Sequence, residues 1–272
     1  RLVMTVHDVA FRLFPETAPH STLRWLTRFD RALRQAARII VVSEQTKRDL
    51  LEHYRVSEHR VVVVPNGVDA QAFQDITDTD VNAARQQLGI GGPYLLFLGG
   101  IEPRKNLPAV VRAFDRLSAD VQPMLVIAGW RTEWNPEGWN ELQQALGEVS
   151  AGVRSRIHVS GYVPEGQKAA LLAGAEALVY PSRYEGFGLQ VLEAMAAGTP
   201  DLTSNVSALP EVAGDAAVLV DPTEVDSIAD GMEKLLRDDE LRKDLRERGR
   251  ARAERFSWEE TARRTVEVLH QA

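Results

Sequence analysis

From Tyr94 onward, short apolar runs alternate with segments in which apolar residues recur at helical spacing. The runs are apolar on both faces, which is typical of parallel strands covered by helices on each side of their sheet. A half-solvated strand would instead alternate polar and apolar residues. The pattern therefore predicts an α/β fold with a parallel sheet. The expected strands are 94–98, 124–128, 157–160 and 177–180, with shorter ones near Leu202 and Val218.

Before residue 90 the same alternation predicts only three strands. A glycine- and proline-rich break at 89–93 marks the predicted boundary between a domain at 1–90 and one at 91–256. Three strands make a small domain, and the sequence begins inside a strand, so we expect that an N-terminal part is missing. The last segment, 257–272, is predicted to be a helix with Ser257 as its N-cap. The N-terminal strands are 2–6, 39–42 and 61–64, with helices over 22–37 and 44–54 and one short helix over 81–88.

Composition argues against several classes of protein. The chain has 272 residues, a net charge of −7 and no cysteine. The acidic balance gives no reason to expect nucleic acid as a partner. Without cysteine there are no disulfides or thiolate metal sites, which is compatible with the cytoplasm. The histidines show no metal-ligand spacing, and no apolar run approaches the ~18 residues of a membrane span.

The segment 177–200 predicts an anion-binding site. A buried strand leads into a loop with Gly186 and Gly188, and then into a helix expected over 189–197 that Gly198 closes. The free N–H groups at a helix start point at whatever lies in front of them. A strand, a glycine loop and a helix in this order therefore suit a phosphate.

A second loop, 99–106, also follows a predicted strand and precedes a helix. It carries Arg104 and Lys105, and cations near a helix start repel the helix dipole unless an anion lies between them. Taken alone, the segment is more often a solvated turn. Because the carboxyl ends of parallel strands meet at one edge of a sheet, the two loops are expected to converge, which favours a bound phosphate. Gly99 and Gly100 form no dinucleotide fingerprint, since a third glycine at the right spacing is absent.

Two glutamates flank the glycine loop. Glu193 is predicted to lie on a helix with little other polar surface, so its carboxylate needs a partner, for which ligand hydroxyls would serve. On an exposed helix face, the same glutamate would be unremarkable. Glu185 lies in the loop itself, where a carboxylate is better placed to bind a sugar hydroxyl than a phosphate.

Other polar groups follow the remaining strands and could line the same cleft. His7, at the end of the first strand, is a candidate general acid or hydrogen-bond donor, although an isolated histidine there is more often structural. The others are Asp8, Asn66-Gly67, Gly129 to Arg131 and Gly161 to Pro164.

Several of these segments together resemble the retaining glycosyltransferases of family 4. Their long and specific two-glutamate motif is similar to Tyr184-Glu185-Gly186-Phe187-Gly188-Leu189 followed by Glu193-Ala194-Met195-Ala196-Ala197-Gly198-Thr199-Pro200. Supporting matches extend the resemblance over essentially the whole chain. They are Val41-Val42-Ser43-Glu44, Val64-Pro65-Asn66-Gly67-Val68-Asp69, Gly99 to Asn106, and Ser207-Ala208-Leu209-Pro210-Glu211.

The resemblance implies the GT-B fold, in which two Rossmann-like domains face a cleft and the C-terminal one holds the donor nucleotide. The N-terminal, acceptor-side domain would be incomplete in this chain. The segment 257–271 is similar to the final helix that crosses back to the N-terminal domain in such enzymes. The implied reaction is retaining transfer of a sugar from a nucleotide-diphosphate sugar, with no required metal or other cofactor.

The resemblance also implies roles for single residues. Glu193 would bind the nucleotide ribose, and Glu185 would bind hydroxyls of the donor sugar. Arg104 and Lys105 would neutralise charge on the leaving diphosphate, where losing one preorganised donor typically costs about 2.7–4 kcal/mol of barrier. His7 matches a histidine near the donor sugar. The turn at Tyr162 and Val163 would bind the base, and the remaining donor-binding residues would be Gly99, Gly100, Gly186, Phe187, Gly188 and Leu189.

Two departures from the family pattern stand out. Some members carry arginine where this chain has Gly100, so the positive charge here would come from Arg104 and Lys105. Asp201 stands where the family has an apolar strand residue. A buried, unpaired carboxylate is costly, so we expect either a partner for Asp201 or a strand that begins later.

The Glu-Pro-Arg-Lys-Asn loop and His7-Asp8 look most like bacterial mannosyl- and rhamnosyltransferases of polysaccharide assembly. GDP-mannose is therefore the first expected donor, with GDP-sugars favoured over UDP-sugars and a saccharide or lipid-linked saccharide as acceptor. The expected location is the cytoplasm or the inner face of the membrane, with any peripheral membrane contact made through the missing N-terminal part.

Two other functions stay open. The first is a sugar-nucleotide-binding protein or fragment without activity, which would bind nucleotide without turnover. The second is a nicotinamide-dependent oxidoreductase. The alternating fold alone suggests it, and the chain lacks the glycine fingerprint of that class.

Overall fold

The computed structural model describes residues 1–15, 22–130 and 136–272. Within them, the strands form two sheets in which every pairing is parallel, so the predicted α/β architecture is confirmed. The first sheet contains β1 (Val3–Val6), β2 (Arg38–Val41) and β3 (Val61–Val63). The second contains β4 (Tyr94–Leu98), β5 (Met124–Ala128), β6 (Ile157–Val159), β7 (Ala177–Tyr180), β8 (Asp201–Ser204) and β9 (Ala217–Val220).

Helices connect these strands as crossovers. Those of the N-terminal part are α1 (Ala10–Leu13), α2 (Thr22–Gln35), α3 (Glu44–His53), α4 (Ala70–Gln74) and α5 (Asp78–Gln87). The rest are α6 (Leu107–Asp115), α7 (Pro136–Glu148), α8 (Ala151–Arg154), α9 (Glu165–Ala173), α10 (Leu189–Ala197), α11 (Leu209–Ala213), α12 (Val225–Arg237), α13 (Asp239–Ala253) and α14 (Trp258–His270). None of the helices that the structure describes is long and apolar enough to cross a membrane.

The second sheet has the strand order β6-β5-β4-β7-β8-β9. Renumbered from its first strand, this is the doubly wound order 3-2-1-4-5-6, in which the winding reverses between β4 and β7. The loops that leave two such strands diverge to opposite faces of the sheet and open a crevice between them. Those two loops are 99–106 and 181–188, the two predicted to converge on an anion.

The strands at this crevice are held rigidly by their side chains. All residues of β4 and β7 are buried. The rings of Phe97 and Tyr180 stack across the two strands with their centroids 5.7 Å apart. Large fully buried side chains occupy well-defined rotamers in close-packed interiors, so the strand ends are fixed points from which the loops start.

The polar segment 70–92 contains two helices, whereas the sequence predicted one. Thr77 and Asp80 form a capping box that starts α5. Phe73 and Ala84 are buried in the core of the second sheet, and α5 packs against α9. Both helices therefore lie before the predicted boundary at residue 90 but pack against the second unit, which is the second sheet with the helices that cover it. The boundaries 1–90, 91–256 and 257–272 stay a prediction.

The last helix, α14, packs against the first sheet. Val268 is buried there beside Ile40 and Val64. The Thr261 hydroxyl donates to the Pro65 carbonyl at 2.7 Å, and the Arg264 guanidinium donates to the Val63 carbonyl at 2.7 Å.

The entry to α14 lies against the chain that leaves the first sheet. The Val68 amide donates to the Phe256 carbonyl at 2.9 Å. A β-carbon added at Gly67 would overlap the backbone of Ser257 and Trp258. The two segments of chain that connect the units, at 67–68 and 256–258, therefore run side by side.

Asp201 has neither the partner nor the later strand start that was expected for it. It is the first residue of β8, paired in register with Leu178 and Ala217, so the strand does not begin later. Its side chain is fully buried, and within the described residues neither carboxylate oxygen has a hydrogen-bond partner. Burial raises the pKa of Asp201 well above its usual range. Folding therefore favours the neutral, protonated form of this carboxyl over its charged form.

We expect Asp201→Val to stabilise the protein at pH 7 by roughly 1–3 kcal/mol, because it removes a buried polar group without partners. In the wild type, the unfolded carboxyl loses its proton first, so Asp201 makes the free energy of unfolding fall as pH rises from its ordinary pKa towards its raised folded pKa. Urea denaturation at several pH values measures both effects.

The matched control is Asp201→Asn, which removes the titration but keeps an unpartnered polar group. It should abolish the falling slope and yet remain less stable than Asp201→Val. A wild-type protein whose unfolding free energy differs from that of Asp201→Asn by the same amount at every pH would contradict this account.

Candidate functional site

The glycine loop ends at α10 as the sequence predicted. The helix runs from Leu189 to Ala197, and Gly198 closes it in the left-handed conformation with φ 72°. Gly188 precedes the helix at φ 113°, where a side chain would be strained, and provides no side-chain cap. Within the described residues, the amides of Phe187, Gly188 and Leu189 make no hydrogen bond. The helix start therefore presents free donors to the crevice.

The two loops that follow β4 and β7 start at the switch point, the place where the winding of the sheet reverses. They are joined directly. The Arg104 carbonyl accepts a hydrogen bond from the Arg183 amide at 2.7 Å, and the Ser182 hydroxyl oxygen lies 3.1 Å from the same carbonyl. The Asn106 side chain, buried at the end of the first loop, donates to the Pro181 carbonyl at 3.2 Å. The structure therefore brings the cationic loop and the glycine loop together, as the position of their strands predicted.

Arg104 and Glu185 form the centre of this junction. The Arg104 guanidinium lies 2.7 Å from one Glu185 carboxylate oxygen and 3.0 Å from Glu102, and it donates to the Tyr184 carbonyl at 3.0 Å. The other Glu185 oxygen accepts from the Tyr180 hydroxyl at 2.8 Å and the Ser182 hydroxyl at 3.0 Å. A buried carboxylate bonded in this way is fixed in position rather than free to rotate.

The charge state of Glu185 follows from these neighbours. Burial raises the pKa of Glu185, but the charges of Arg104 and Lys105, with the hydrogen bonds from Arg104 and Tyr180, outweigh it and hold the pKa below its ordinary value. Glu185 is therefore ionised at neutral pH, and both of its oxygens can only accept hydrogen bonds.

Lys105 has a different environment. It is only 6% exposed, and its ammonium lies 3.9 Å from Glu102 and 5.9 Å from the centre of the Tyr180 ring. This ammonium donates no hydrogen bond within the part of the chain that the structure describes. Burial lowers the pKa of Lys105 more than Glu185 and Glu102 raise it. The site thus holds a buried cation whose ammonium makes no hydrogen bond within the described residues and lies 3.9 Å from the Glu102 carboxylate.

Glu193 has a partner, as expected for a carboxylate on an apolar helix. That partner is a protein side chain. Its carboxylate lies 2.7 Å from the ammonium of Lys168, with both side chains 16% exposed. This pair could not be predicted from the sequence, since the two residues come from different helices, α9 and α10. A carboxylate fixed by a lysine is a suitable acceptor for hydroxyl groups, because its oxygens have further lone pairs.

His7 lies where β1 meets the glycine loop. A β-carbon added at Gly186 would overlap the His7 carbonyl oxygen, so the two segments touch through their backbones. The His7 imidazole is exposed. Of the strand-end residues, His7 and Asp8 are thus brought to the glycine loop.

The expected base-binding turn lies at the ends of β5 and β6. Tyr162 is 66% exposed, and its ring packs edge-on against that of Trp130, which is 46% exposed, at a centroid distance of 6.0 Å. A β-carbon added at Gly100 would lie 3.6 Å from the Trp130 indole. Gly100, Tyr162 and Trp130 therefore share one end of the crevice. Arg131, which the sequence placed there too, lies outside the described residues.

The side chains that hold the two glutamates were not among the residues predicted from the sequence. Tyr180 and Ser182 immediately flank Pro181 at the strand end, so their position beside the glycine loop was a usable signal. Trp130 follows Gly129 at the end of another strand and could have been named in the same way. No such signal exists for Lys168. Among the described residues, no group of three or more histidine, aspartate or glutamate side chains could hold a metal ion.

Two family models match the sequence. The model described as glycosyl transferases group 1 covers residues 80–252, and that described as glycosyltransferase family 4 covers residues 1–72. The chain belongs to the group 1 glycosyl transferases. Three curated relatives of this family member illustrate the match.

The O-antigen chain mannosyltransferase B of Escherichia coli is 33% identical over 98% of this chain and 69% of its own length. The MMP α-(1→4)-mannosyltransferase of Mycolicibacterium hassiacum is 34% identical over 89% of this chain and 56% of its own length. The D-inositol 3-phosphate glycosyltransferase of Corynebacterium aurimucosum is 32% identical over 81% of this chain and 53% of its own length. The chain thus spans between about half and about two thirds of these relatives.

Solved structures confirm the predicted GT-B fold. Anabaena HepE, crystallised in complex with UDP and glucose, superposes with a TM-score of 0.86 at 21% identity, over 100% of this chain and 72% of its own. Sucrose-phosphate synthase of Thermosynechococcus elongatus superposes with a TM-score of 0.81 at 24% identity, over 99% and 67% of the two chains.

We expect nucleoside diphosphates to bind more weakly as the pH rises from neutral to alkaline, at lower pH than an ordinary lysine would titrate. Binding needs the charged form of Lys105, whose pKa burial lowers, so in alkaline solution a protein that has lost this proton must take it up again to bind an anion. Calorimetric titration with UDP and GDP at a series of pH values measures this.

Lys105→Met should bind about 10- to 100-fold more weakly at neutral pH, because it removes a charge-assisted hydrogen bond, and its remaining affinity should not change with alkaline pH. Lys234, exposed on α12, provides the matched control, and Lys234→Met should behave as the wild type. An unaltered pH profile in Lys105→Met would contradict the assignment.

Proposed function

We propose that this glycosyl transferase transfers a sugar, with retention of anomeric configuration, from a nucleotide-diphosphate sugar to a saccharide or lipid-linked saccharide in polysaccharide assembly. The first donor to test is GDP-mannose, and no metal is required. The proposed location is the cytoplasm or the inner membrane face.

One observation carries this proposal. A buried ammonium, that of Lys105, and the free amides at the start of α10 belong to the two loops that meet at the switch point. A buried cation that makes no hydrogen bond is unfavourable, and unpaired amides at a helix start add partial positive charge. Both are satisfied together by a group with several negative oxygens, and a diphosphate is such a group.

The chemistry follows from this arrangement. Transfer breaks the bond between the anomeric carbon and the diphosphate oxygen, so negative charge grows on the diphosphate as the sugar leaves. Lys105 and the amides of Phe187, Gly188 and Leu189 stabilise that charge with donors that need no reorganisation. Arg104 adds positive charge next to Lys105. It contacts Glu102 and also fixes the carboxylate of Glu185, which binds the sugar in this proposal.

The donor sugar and nucleotide occupy the two sides of the diphosphate in this proposal. Glu185 and His7 face the sugar, and Gly99 and Gly186 provide the close backbone around it. Glu193, held by Lys168, accepts hydrogen bonds from the ribose hydroxyls. The base lies at the turn of Tyr162 and Val163, beside Gly100.

The choice of mannose is supported by the relatives. Two of the three described above are named as mannosyltransferases, and the E. coli protein acts on an O-antigen chain by its name. UDP-sugars remain the comparison, since the HepE complex holds UDP and glucose.

The test is transfer and hydrolysis by the full-length protein with GDP-mannose and UDP-glucose, each with and without a mannosylated lipid-linked acceptor. The wild type should release GDP from GDP-mannose, faster with acceptor. Lys105→Ala and Glu185→Ala should each lower kcat at least about 100-fold, since each removes a charged group that contacts the donor. Lys234→Met serves as the control on α12.

Unchanged activity in both Lys105→Ala and Glu185→Ala would overturn the site assignment. Nucleotide binding by calorimetry without turnover of any donor would instead favour the sugar-nucleotide-binding protein without activity.

A further inference from the structure

The glycine loop of the donor site is held by a helix from the other unit. The Ser43 hydroxyl, at the start of α3, donates to the Gly186 carbonyl at 2.6 Å, and the Thr46 hydroxyl donates to the same carbonyl at 3.0 Å. All three groups are buried. Ser43 is also the N-cap of α3, since its oxygen accepts from the Thr46 amide at 2.9 Å. The first turn of α3 is thus fixed while it holds the loop.

Further contacts surround these two hydrogen bonds. The Tyr184 hydroxyl donates to the Asp49 carboxylate on α3 at 2.8 Å. The second unit also contributes a carboxylate to the start of α3. The Glu211 carboxylate accepts from the Glu44 amide at 3.0 Å and from the Gln45 amide at 3.3 Å, so this residue of the second unit caps α3. The start of α3 and the glycine loop are therefore one hydrogen-bonded assembly across the cleft.

The held carbonyl belongs to the peptide that carries a donor amide. Gly186 C=O and Phe187 N–H are parts of one planar trans peptide unit, in which the N–H points away from the C=O. Two hydroxyls that fix the direction of the carbonyl therefore fix the direction of the amide. They also polarise the peptide, which strengthens the amide as a donor.

The glycines of this loop explain why its peptide needs to be held in one orientation. The loop contains glycines at 186 and 188, and glycine allows backbone conformations that other residues do not. A peptide between such residues can rotate unless something holds it. Gly186 cannot be replaced by a bulkier residue that would stiffen the loop, because its α-carbon lies against His7 and Asp8.

We propose that Ser43 and Thr46 are positioning residues that aim the Phe187 amide at the donor diphosphate. This inference rests on the proposed function, and it assigns to the acceptor-side unit a part in building the donor site. A contact that only joined the two units would stabilise the protein without distinguishing between ligands. A positioning role acts on the diphosphate alone.

The experiment compares Thr46→Val, which removes the hydroxyl at nearly constant shape, with Thr46→Ser, which keeps it. UDP and GDP are titrated by calorimetry into the full-length protein, and uridine and guanosine are titrated with detection by ligand NMR. Thr46→Val should weaken diphosphate binding about 3- to 10-fold, the value of one hydrogen bond. Its nucleoside affinity should equal that of the wild type, and Thr46→Ser should restore diphosphate binding. Thr46→Ala is the second variant if Thr46→Val does not fold.

The inference is overturned if Thr46→Val binds diphosphate as the wild type does, or if diphosphate and nucleoside lose affinity equally. It is also overturned if Thr46→Ser binds as weakly as Thr46→Val. A wild-type protein that binds neither UDP nor GDP would refute the proposed function as well. A wild type that binds one of them leaves the proposed function standing, whatever the Thr46 variants show.

Discussion

The parallel pairing of β4 with β7 is the constraint on which the rest of the site depends. It places the reversal of sheet winding between two fully buried strands, so the loops after them start from adjacent strand ends at one edge of the sheet, where their backbones contact each other. Everything chemical in the site is an outcome of that meeting. The cations come from one loop, the free amides from the other, and the carbonyl of Arg104 joins them.

Burial then gives each charge a distinct task. Arg104 is saturated by two carboxylates and a carbonyl, and so organises the protein's own groups. Lys105 is buried beside it, and its ammonium lies 3.9 Å from Glu102 and makes no hydrogen bond within the described residues. Because adjacent residues of one turn differ in this way, one cation is committed to the scaffold while the next is available to a ligand.

Much of this could be predicted from the sequence, since the informative signals were local. Apolar runs gave the strands, Ser43 and Ser257 gave helix starts, and the glycines at 186 and 188 gave the loop. What the sequence could not predict depends on tertiary pairing. Lys168 with Glu193 and the hydroxyls on Gly186 join residues far apart in the chain. Asp201 is a different case, because the family pattern has an apolar residue there, and both outcomes expected for its carboxylate, a partner or a later strand start, are wrong.

The two chain crossings at Gly67 and Ser257 have a mechanical consequence. Since the Val68 amide is bonded to the Phe256 carbonyl, the polypeptide passes from one unit to the other twice within a single backbone contact. Connections that lie this close join the two units at a single place, so any rotation of one unit against the other would have to change backbone dihedrals in both connections together.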